Sequence, residues 1–228
     1  LAAAAYGPNA VTAKVGEQGT TVTIDQDTDY PFRPDVTLTV SSAQPVAFPL
    51  VLRIPGWCAV PSVRVNGEPQ KDVARGTFHR IERTWKTGDV VQLQFPMSPR
   101  LSHWKNESVA ISRGPLVFSL RMAEEKKSTR DFLGGQFHTY EIRPTGAWNY
   151  ALLLGDRAKP RIETTVAESV PEQPFLATAA PVRLTLKAGR TDRSGWGTYR
   201  DDFPARAMEP PPSPVSISGE AEDIVLVP

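Results

Sequence analysis

Apolar and polar residues alternate one by one along several segments of the chain, and this pattern limits the fold more than any other feature. Clear examples are residues 35–40, 90–95 and 181–187. In a β-strand successive side chains point to opposite faces, so a period of two gives one apolar and one wet face. A helix would need apolar residues three and four positions apart, which these segments lack. The sequence therefore predicts half-buried strands.

Turn residues separate these segments. Asn66-Gly67 follows Val63-Arg64-Val65 and is the strongest short hairpin signal, because a type I′ turn needs positive φ at both central residues. The 22 Pro and 16 Gly of the chain leave few windows for a long helix. Strands at this spacing without helices between them are typical of antiparallel sandwiches. We predict an all-β chain with two antiparallel β-sandwich (jelly-roll-like) domains and little helix.

A polar stretch interrupts the strand pattern at residues 123–135, with the sequence AEEKKSTRDFLGG. Domain boundaries commonly fall in polar segments with a glycine pair. We therefore predict a first sandwich domain over residues 1–122, a linker over 123–135 and a second, smaller sandwich domain over 136–228. In the second domain, the proline-rich residues 210–214 should run as extended polyproline outside any central strand.

The charge balance and the single cysteine exclude several classes of function. Lys plus Arg is 26 and Asp plus Glu is 25, a formal net charge of +1, which argues against a nucleic-acid partner. No apolar run approaches the roughly 18–20 residues that cross a bilayer, so we expect no membrane partner. Cys58 is the one cysteine, which rules out an internal disulfide and a zinc site built on several thiolates.

Both chain ends suggest a piece of a longer polypeptide. The chain starts at Leu1 without a signal pattern, and it stops in the apolar run 224–228, which resembles a strand. The compartment stays open at this point, with a periplasmic or secreted location favoured.

The residues that could support chemistry form no recognisable site. The run 25–29 places Asp on alternate residues as a calcium loop does, but Tyr30 and Val36 occupy the positions of the loop glycine and the bidentate Glu. A solvated strand end is therefore favoured over a weak ion site. The three histidines, at positions 79, 103 and 138, have no metal-ligand spacing, and no G-x-S-x-G elbow accompanies them.

No sequence motif identifies the cysteine or any pair of carboxylates as catalytic. Cys58 follows Trp57 without an activating base nearby in sequence, so an inert buried thiol is favoured over a nucleophile. Sugar hydrolysis usually needs two carboxyl groups across a cleft, and no motif selects a pair here. The available carboxylates are Glu68, Glu82, Asp89, Glu107, Glu141 and Asp156. We predict no catalytic, cofactor-binding or metal-binding residue.

Aromatic residues are the better candidates for contacts. Trp57 and Trp85 lie in turn and strand contexts that normally send the indole into a sandwich core. Trp104, Trp196 and Tyr199 are the candidates for a surface contact with a partner domain or a sugar, the last two in the Gly-flanked segment 194–199.

Several strings in fixed order resemble glycoside hydrolase family 127, a family that includes β-L-arabinofuranosidases. The strings are Thr28-Asp29-Tyr30-Pro31-Phe32, Leu52-Arg53-Ile54-Pro55-Gly56-Trp57, Val65-Asn66-Gly67-Glu68, residues 83–90, Phe95-Pro96-Met97-Ser98-Pro99-Arg100 and residues 109–117. The series covers about residues 6–122. Residues 136–228 resemble the family's last domain more loosely, through 147–150 and Pro214-Val215 before 224–228.

The resemblance implies an (α/α)6 catalytic barrel followed by two β-sandwich domains. It also implies that a zinc-bound cysteine in a cluster of three cysteines and a glutamate is the nucleophile. Cys58 falls outside that pattern, so the resemblance implies no catalytic residue or cofactor in this chain and places the zinc in the barrel.

We therefore expect a non-catalytic C-terminal accessory region of a bacterial family 127-like glycoside hydrolase, supporting the (α/α)6 domain by packing, with a homodimer as a further option. The alternative is a carbohydrate-binding module that recognises plant-type polysaccharide through exposed aromatics. An independent small enzyme is least favoured, because no constellation supports it.

Overall fold

The computed structural model describes residues 1–156, 160–192 and 210–228. Within these ranges the chain is mostly strand, and its helical segments are two 3-10 turns of three residues, Lys105–Glu107 and Leu133–Gly135. None of the described helices is long and apolar enough to cross a membrane. The prediction of an all-β chain with little helix is confirmed.

The chain divides into two compact units. Unit 1 consists of Leu1–Pro99 and Arg113–Leu116, and unit 2 of Arg100–Ser112 and Val117–Pro228. This division lies near residue 100, whereas the sequence suggested a boundary at 122 and a linker over 123–135. Residues 124–132 form a strand instead. Polar residues on both faces of that strand give no apolar alternation, which is why the segment resembled a linker.

Unit 1 contains two sheets. Its strands are β1 (Ala2–Ala3), β2 (Asn9–Val15), β3 (Thr20–Thr28), β4 (Asp35–Ser42), β5 (Val46–Arg53), β6 (Ser62–Val65), β7 (Glu68–Pro69), β8 (Phe78–Trp85) and β9 (Val90–Gln94). The larger sheet has the order β2-β3-β4-β9-β6-β7 and the smaller one β1-β5-β8. All neighbours are antiparallel except β1 and β5. This arrangement is a sandwich.

The inward residues of both sheets form one core. The larger sheet contributes every second residue of β4 and β9. The smaller sheet contributes every second residue of β5 and, from β8, Ile81 and Trp85. At the centre, Trp85 is fully buried, lies 5.9 Å from the Phe48 ring between centroids, and donates a hydrogen bond from Nε1 to the Phe48 carbonyl at 3.0 Å. The predicted core position of Trp85 is confirmed.

The other strands are β10 (Pro99–His103), β11 (Val109–Arg113), β12 (Leu116–Leu120), β13 (Glu124–Phe132), β14 (Phe137–Pro144), β15 (Tyr150–Leu152), β16 (Glu163–Val166), β17 (Val182–Thr191) and β18 (Ile217–Val227). Seven of them form a sheet of order β10-β11-β12-β18-β17-β15, with β16 also paired to β17. The alternating residues of β17 are buried on one face, as the pattern at 181–187 predicted. Strands β13 and β14 form a separate hairpin.

The Asn66-Gly67 turn has the geometry that the sequence predicted. Asn66 has φ 52° and Gly67 has φ 85° between the antiparallel strands β6 and β7. A Cβ at Gly67 would meet no atom within 4 Å, so a substitution there would act through backbone strain alone.

We expect Gly67→Ala to lower the free energy of unfolding by about 1–2 kcal/mol, because an L-residue is strained at this φ. Gly7→Ala is the matched control, since Gly7 is equally open and lacks a positive φ, and it should stay within about 0.5 kcal/mol of the wild type. Urea unfolding midpoints of the two variants measure the difference. Equal midpoints would contradict the strain assigned to this turn.

Candidate functional site

Four aromatic rings meet in unit 1 and form what we call the aromatic patch: Tyr6, Tyr30, Trp57 and Phe95. The Tyr6 ring lies 5.8 Å from Tyr30 and 5.4 Å from Phe95, and the Trp57 ring lies 6.3 Å from Phe95, between centroids. Phe95 is fully buried, whereas the other three rings are half-buried and pack against the core. The patch is therefore a partly exposed aromatic surface on a rigid base.

The loop between β3 and β4 holds Tyr30 in this patch. Thr28 Oγ1 donates to the Asp35 carbonyl at 2.6 Å and accepts from the Tyr30 N–H at 3.0 Å. Asp29 accepts from the Phe32 N–H through its carbonyl at 2.9 Å and pairs with Arg33 at 3.1 Å through its carboxylate. These bonds fix the loop at several points, so the ring of Tyr30 has a defined position.

The two phenol groups of the patch stay protonated at neutral pH. Burial, and then the neighbouring Tyr30, raise the pKa of Tyr6 well above its usual value. Burial raises the pKa of Tyr30, although a hydrogen bond from Trp57 and the charge of Arg53 oppose this. The Tyr6 hydroxyl donates to the Arg53 carbonyl at 2.6 Å. These groups thus serve as hydrogen-bond donors and apolar surface, not as general bases.

Of the three predicted contact residues, Trp104 lies in the described part of the chain. Trp104 is 66% exposed, and its Nε1 donates to Ser102 Oγ at 2.9 Å. Trp196 and Tyr199 lie outside the described residues. The contact role of all three stays a prediction. Trp57 is half-buried in the patch, so the expected core position was only partly right.

Asp89 is the buried carboxylate of unit 1, and its oxygens are occupied by structural contacts. Oδ1 accepts from Asn66 Nδ2 at 2.8 Å, while Oδ2 accepts from the Lys86 N–H at 2.9 Å and lies 3.5 Å from Arg83. Burial opposes ionisation, but these hydrogen bonds and the charges of Arg83 and Lys86 outweigh it and lower the pKa of Asp89. The group anchors the turn before β9.

The other reactive groups are dispersed. Over residues 1–156, 160–192 and 210–228, no three His, Cys, Asp or Glu side chains are placed to hold a metal ion. Asp25 and Asp27 are exposed on β3. Cys58 is fully buried, and burial raises the pKa of its thiol. The zinc cluster that the resemblance implies needs several cysteines, and one cysteine cannot build it.

Comparison with known proteins matches this unit to a defined family. The sequence profile of the β-L-arabinofuranosidase GH127 middle domain matches residues 1–97. Residues 1–97 are therefore similar to the GH127 middle domain. The matched region includes all four rings of the aromatic patch and ends just before unit 1 gives way to unit 2. No curated protein sequence matches the chain.

Solved structures extend the likeness beyond residues 1–97. A GH127 β-L-arabinofuranosidase from Geobacillus stearothermophilus T6 is 26% identical with a TM-score of 0.62, over 98% of this chain and 30% of that one. A glycoside hydrolase at 24% identity and a GH127 β-arabinofuranosidase at 20% share the fold, with TM-scores of 0.62 and 0.64. Each covers 100% of this chain, which spans 32% of theirs. The chain thus spans about a third of the length of these glycoside hydrolases.

Sequence reasoning missed the aromatic patch. Its residues come from positions 6, 30, 57 and 95, so only the folded sandwich brings them together. A usable signal was present, because Tyr30-Pro31-Phe32 and Pro55-Gly56-Trp57 each place an aromatic ring beside a turn residue.

Proposed function

We propose that this chain is a non-catalytic accessory region of a GH127-type glycoside hydrolase and supports the catalytic (α/α)6 domain by packing against it. The aromatic patch within the region similar to the GH127 middle domain is the observation that supports this proposal most directly. It presents three half-buried aromatic rings, one of them on a hydrogen-bonded loop, and partly exposed aromatic rings are enriched at contacts between domains. The zinc and its ligands belong, in this proposal, to the catalytic domain.

The free energy available from burying the three rings is sufficient for the aromatic patch to bind a second domain. Fully burying a large apolar side chain contributes about 1.5–3 kcal/mol, and the three rings are already half-buried before any contact. Little ordering entropy is lost on docking, because hydrogen bonds already hold the Tyr6 hydroxyl and the Tyr30 backbone. A few kcal/mol of net docking energy is therefore available.

The test is Trp57→Ser in the full-length hydrolase that contains this chain. We expect the half-life of activity at elevated temperature to fall about tenfold, while kcat/KM at 25 °C stays within about twofold, because the side chain stabilises the domain contact and touches no substrate. Phe78→Ser is the matched control, since Phe78 is an exposed aromatic of the same unit outside the patch. Unchanged half-lives, or a selective loss of kcat, would contradict the proposal.

A second candidate is carbohydrate binding, which the exposure of Trp104 favours. An exposed indole can stack on a sugar face, although the fold alone does not imply this function. Calorimetric titration with arabinan-type oligosaccharides should then give heat at millimolar ligand that Trp104→Ala removes. Absence of heat from the wild-type chain would count against this candidate.

A further inference from the structure

Arg113 is a buried cation without a compensating charge in the described part of the chain. It is the last residue of β11, and it is only 7% exposed. None of the ion pairs among the described residues includes it, and burial lowers its pKa. Asp89, the other buried charged residue of the described ranges, pairs with Arg83. The two buried charges of unit 1 are therefore treated differently by the fold.

Two contacts hold the guanidinium of Arg113. Nη1 donates a hydrogen bond to the Phe32 carbonyl at 3.1 Å and lies 3.7 Å from Met97 Sδ, a weak acceptor. Nε is shielded from solvent and has no hydrogen-bond partner among the described residues. A guanidinium binds a carboxylate most strongly when one edge donates to both carboxylate oxygens. Since Nη1 is already bound, the edge of Arg113 that includes Nε is the one that lacks an acceptor.

These contacts place Arg113 beside the aromatic patch. Phe32 lies in the β3–β4 loop that holds Tyr30, and Met97 comes shortly after Phe95 in the chain. Both contacts of the guanidinium are thus sequence neighbours of rings in the patch, and all of these residues belong to unit 1. A domain that covers the aromatic patch therefore also comes close to Arg113.

Met97 is the adaptable contact of the guanidinium. It is half-buried and packs over Gly114, where an added Cβ would lie 2.7 Å from the Met97 Sδ. A thioether accepts a hydrogen bond weakly, and the unbranched side chain of methionine changes its conformation easily. Met97 can therefore yield to a stronger acceptor without movement of the backbone.

The missing counter-charge of Arg113 has an energetic consequence. Burial of an ion is costly unless an opposite charge and hydrogen bonds compensate it, and one carbonyl with one thioether supplies no charge. A water molecule at Nε would satisfy one donor and leave the charge uncompensated. This chain spans about a third of the length of its solved relatives, so most of such a protein lies outside it. That larger part is where we look for the anion.

We infer that Arg113 pairs with an Asp or Glu carboxylate of the catalytic domain where that domain covers the aromatic patch. The inference rests on the proposed function, because it needs the chain to pack against this domain. A carboxylate fits the site in charge, and it accepts bidentately from a guanidinium edge. The rings of the patch supply apolar contact area, whereas Arg113 makes the contact specific, because a partner without a carboxylate leaves the charge uncompensated.

Arg113→Met tests the inference by its different effects in two proteins. In the isolated 228-residue chain it removes an uncompensated charge, so the urea unfolding midpoint should stay unchanged or rise. In the full-length hydrolase it leaves the carboxylate of the catalytic domain without its partner, so the half-life of activity at elevated temperature should fall about tenfold. Arg64→Met is the matched control, since Arg64 also donates from Nη1 to a backbone carbonyl, at 3.0 Å, but is exposed. It should change neither quantity.

A structure of the full-length hydrolase identifies the partner of Arg113 directly. A carboxylate oxygen of the catalytic domain should lie about 2.7–2.9 Å from Nε or Nη2. An aromatic ring over the guanidinium, ordered water alone, or a carboxylate of this same chain in that place would overturn the inference.

The two proteins also separate this inference from the proposed function. An Arg113→Met midpoint that falls in the isolated chain would make Arg113 an internal structural residue and overturn the inference, and so would an unchanged half-life of the full-length variant. Failure of the inference alone leaves the effect of Trp57→Ser on the half-life in place. Failure of the proposed function removes that effect as well.

Discussion

Trp85→Ala should destabilise unit 1 by about 3–5 kcal/mol, the usual cost of removing a fully buried indole. The change empties the centre of the core and leaves the Phe48 carbonyl without its donor. It also removes the ring over which the Arg83 guanidinium lies at 5.1 Å. Since small domains are stable by only about 5–15 kcal/mol, this loss removes a large fraction of the stability of unit 1.

Trp57→Ala is the matched control for this experiment, because the same side chain is removed from a half-buried position. It should cost the isolated chain about half as much or less. Chemical denaturation followed by Trp fluorescence and far-UV circular dichroism compares the two variants. Equal losses would mean that the sandwich core is not centred on Trp85.

Asp89→Ala should lower the free energy of unfolding by about 3 kcal/mol, because it leaves Asn66 Nδ2 and the Lys86 N–H without their acceptor inside the protein. Arg83 loses its counter-charge as well. Glu82→Ala is the control, since Glu82 forms an exposed pair with Arg80 and its loss should stay within about 0.5 kcal/mol. Thermal and urea unfolding at pH 7 measure both variants.

The contribution of Asp89 also predicts a pH dependence. The pKa of Asp89 is lower in the folded chain than in the unfolded chain. In the unfolded chain Asp has a pKa of about 3.9. The stabilisation is therefore complete above that unfolded value and is lost as the pH falls through the folded pKa. The difference between wild type and Asp89→Asn should shrink on acidification from pH 7 to pH 3. A constant or growing difference would contradict the assigned hydrogen bonds.

Local sequence patterns were sufficient wherever one face of a strand is buried. The alternating segments 35–40 and 90–95 lie in β4 and β9, and Asn66-Gly67 forms the predicted turn. A period of two has a direct physical cause in the pleat, and a positive φ pair has one in the turn. Features of this kind are decided by neighbours in sequence.

Features decided by distant residues were not predictable in the same way. The hairpin of β13 and β14 has no buried face, so its strands show no apolar alternation, and residues 123–135 resembled a linker. The aromatic patch depends on four residues spread over almost 90 positions of chain. The short motifs around these rings do not show which rings will come into contact, because the pairing of the strands decides that.

An assay of sugar release by the purified 228-residue chain is the most direct test of whether this chain lacks hydrolase activity. The assay uses β-L-arabinofuranosides with added zinc and reductant, and Cys58→Ala serves as the paired variant. We expect both proteins to match the buffer rate, because the one cysteine is buried and has no partners for a metal cluster among the described residues. Zinc-dependent turnover that Cys58→Ala abolishes would contradict a non-catalytic role.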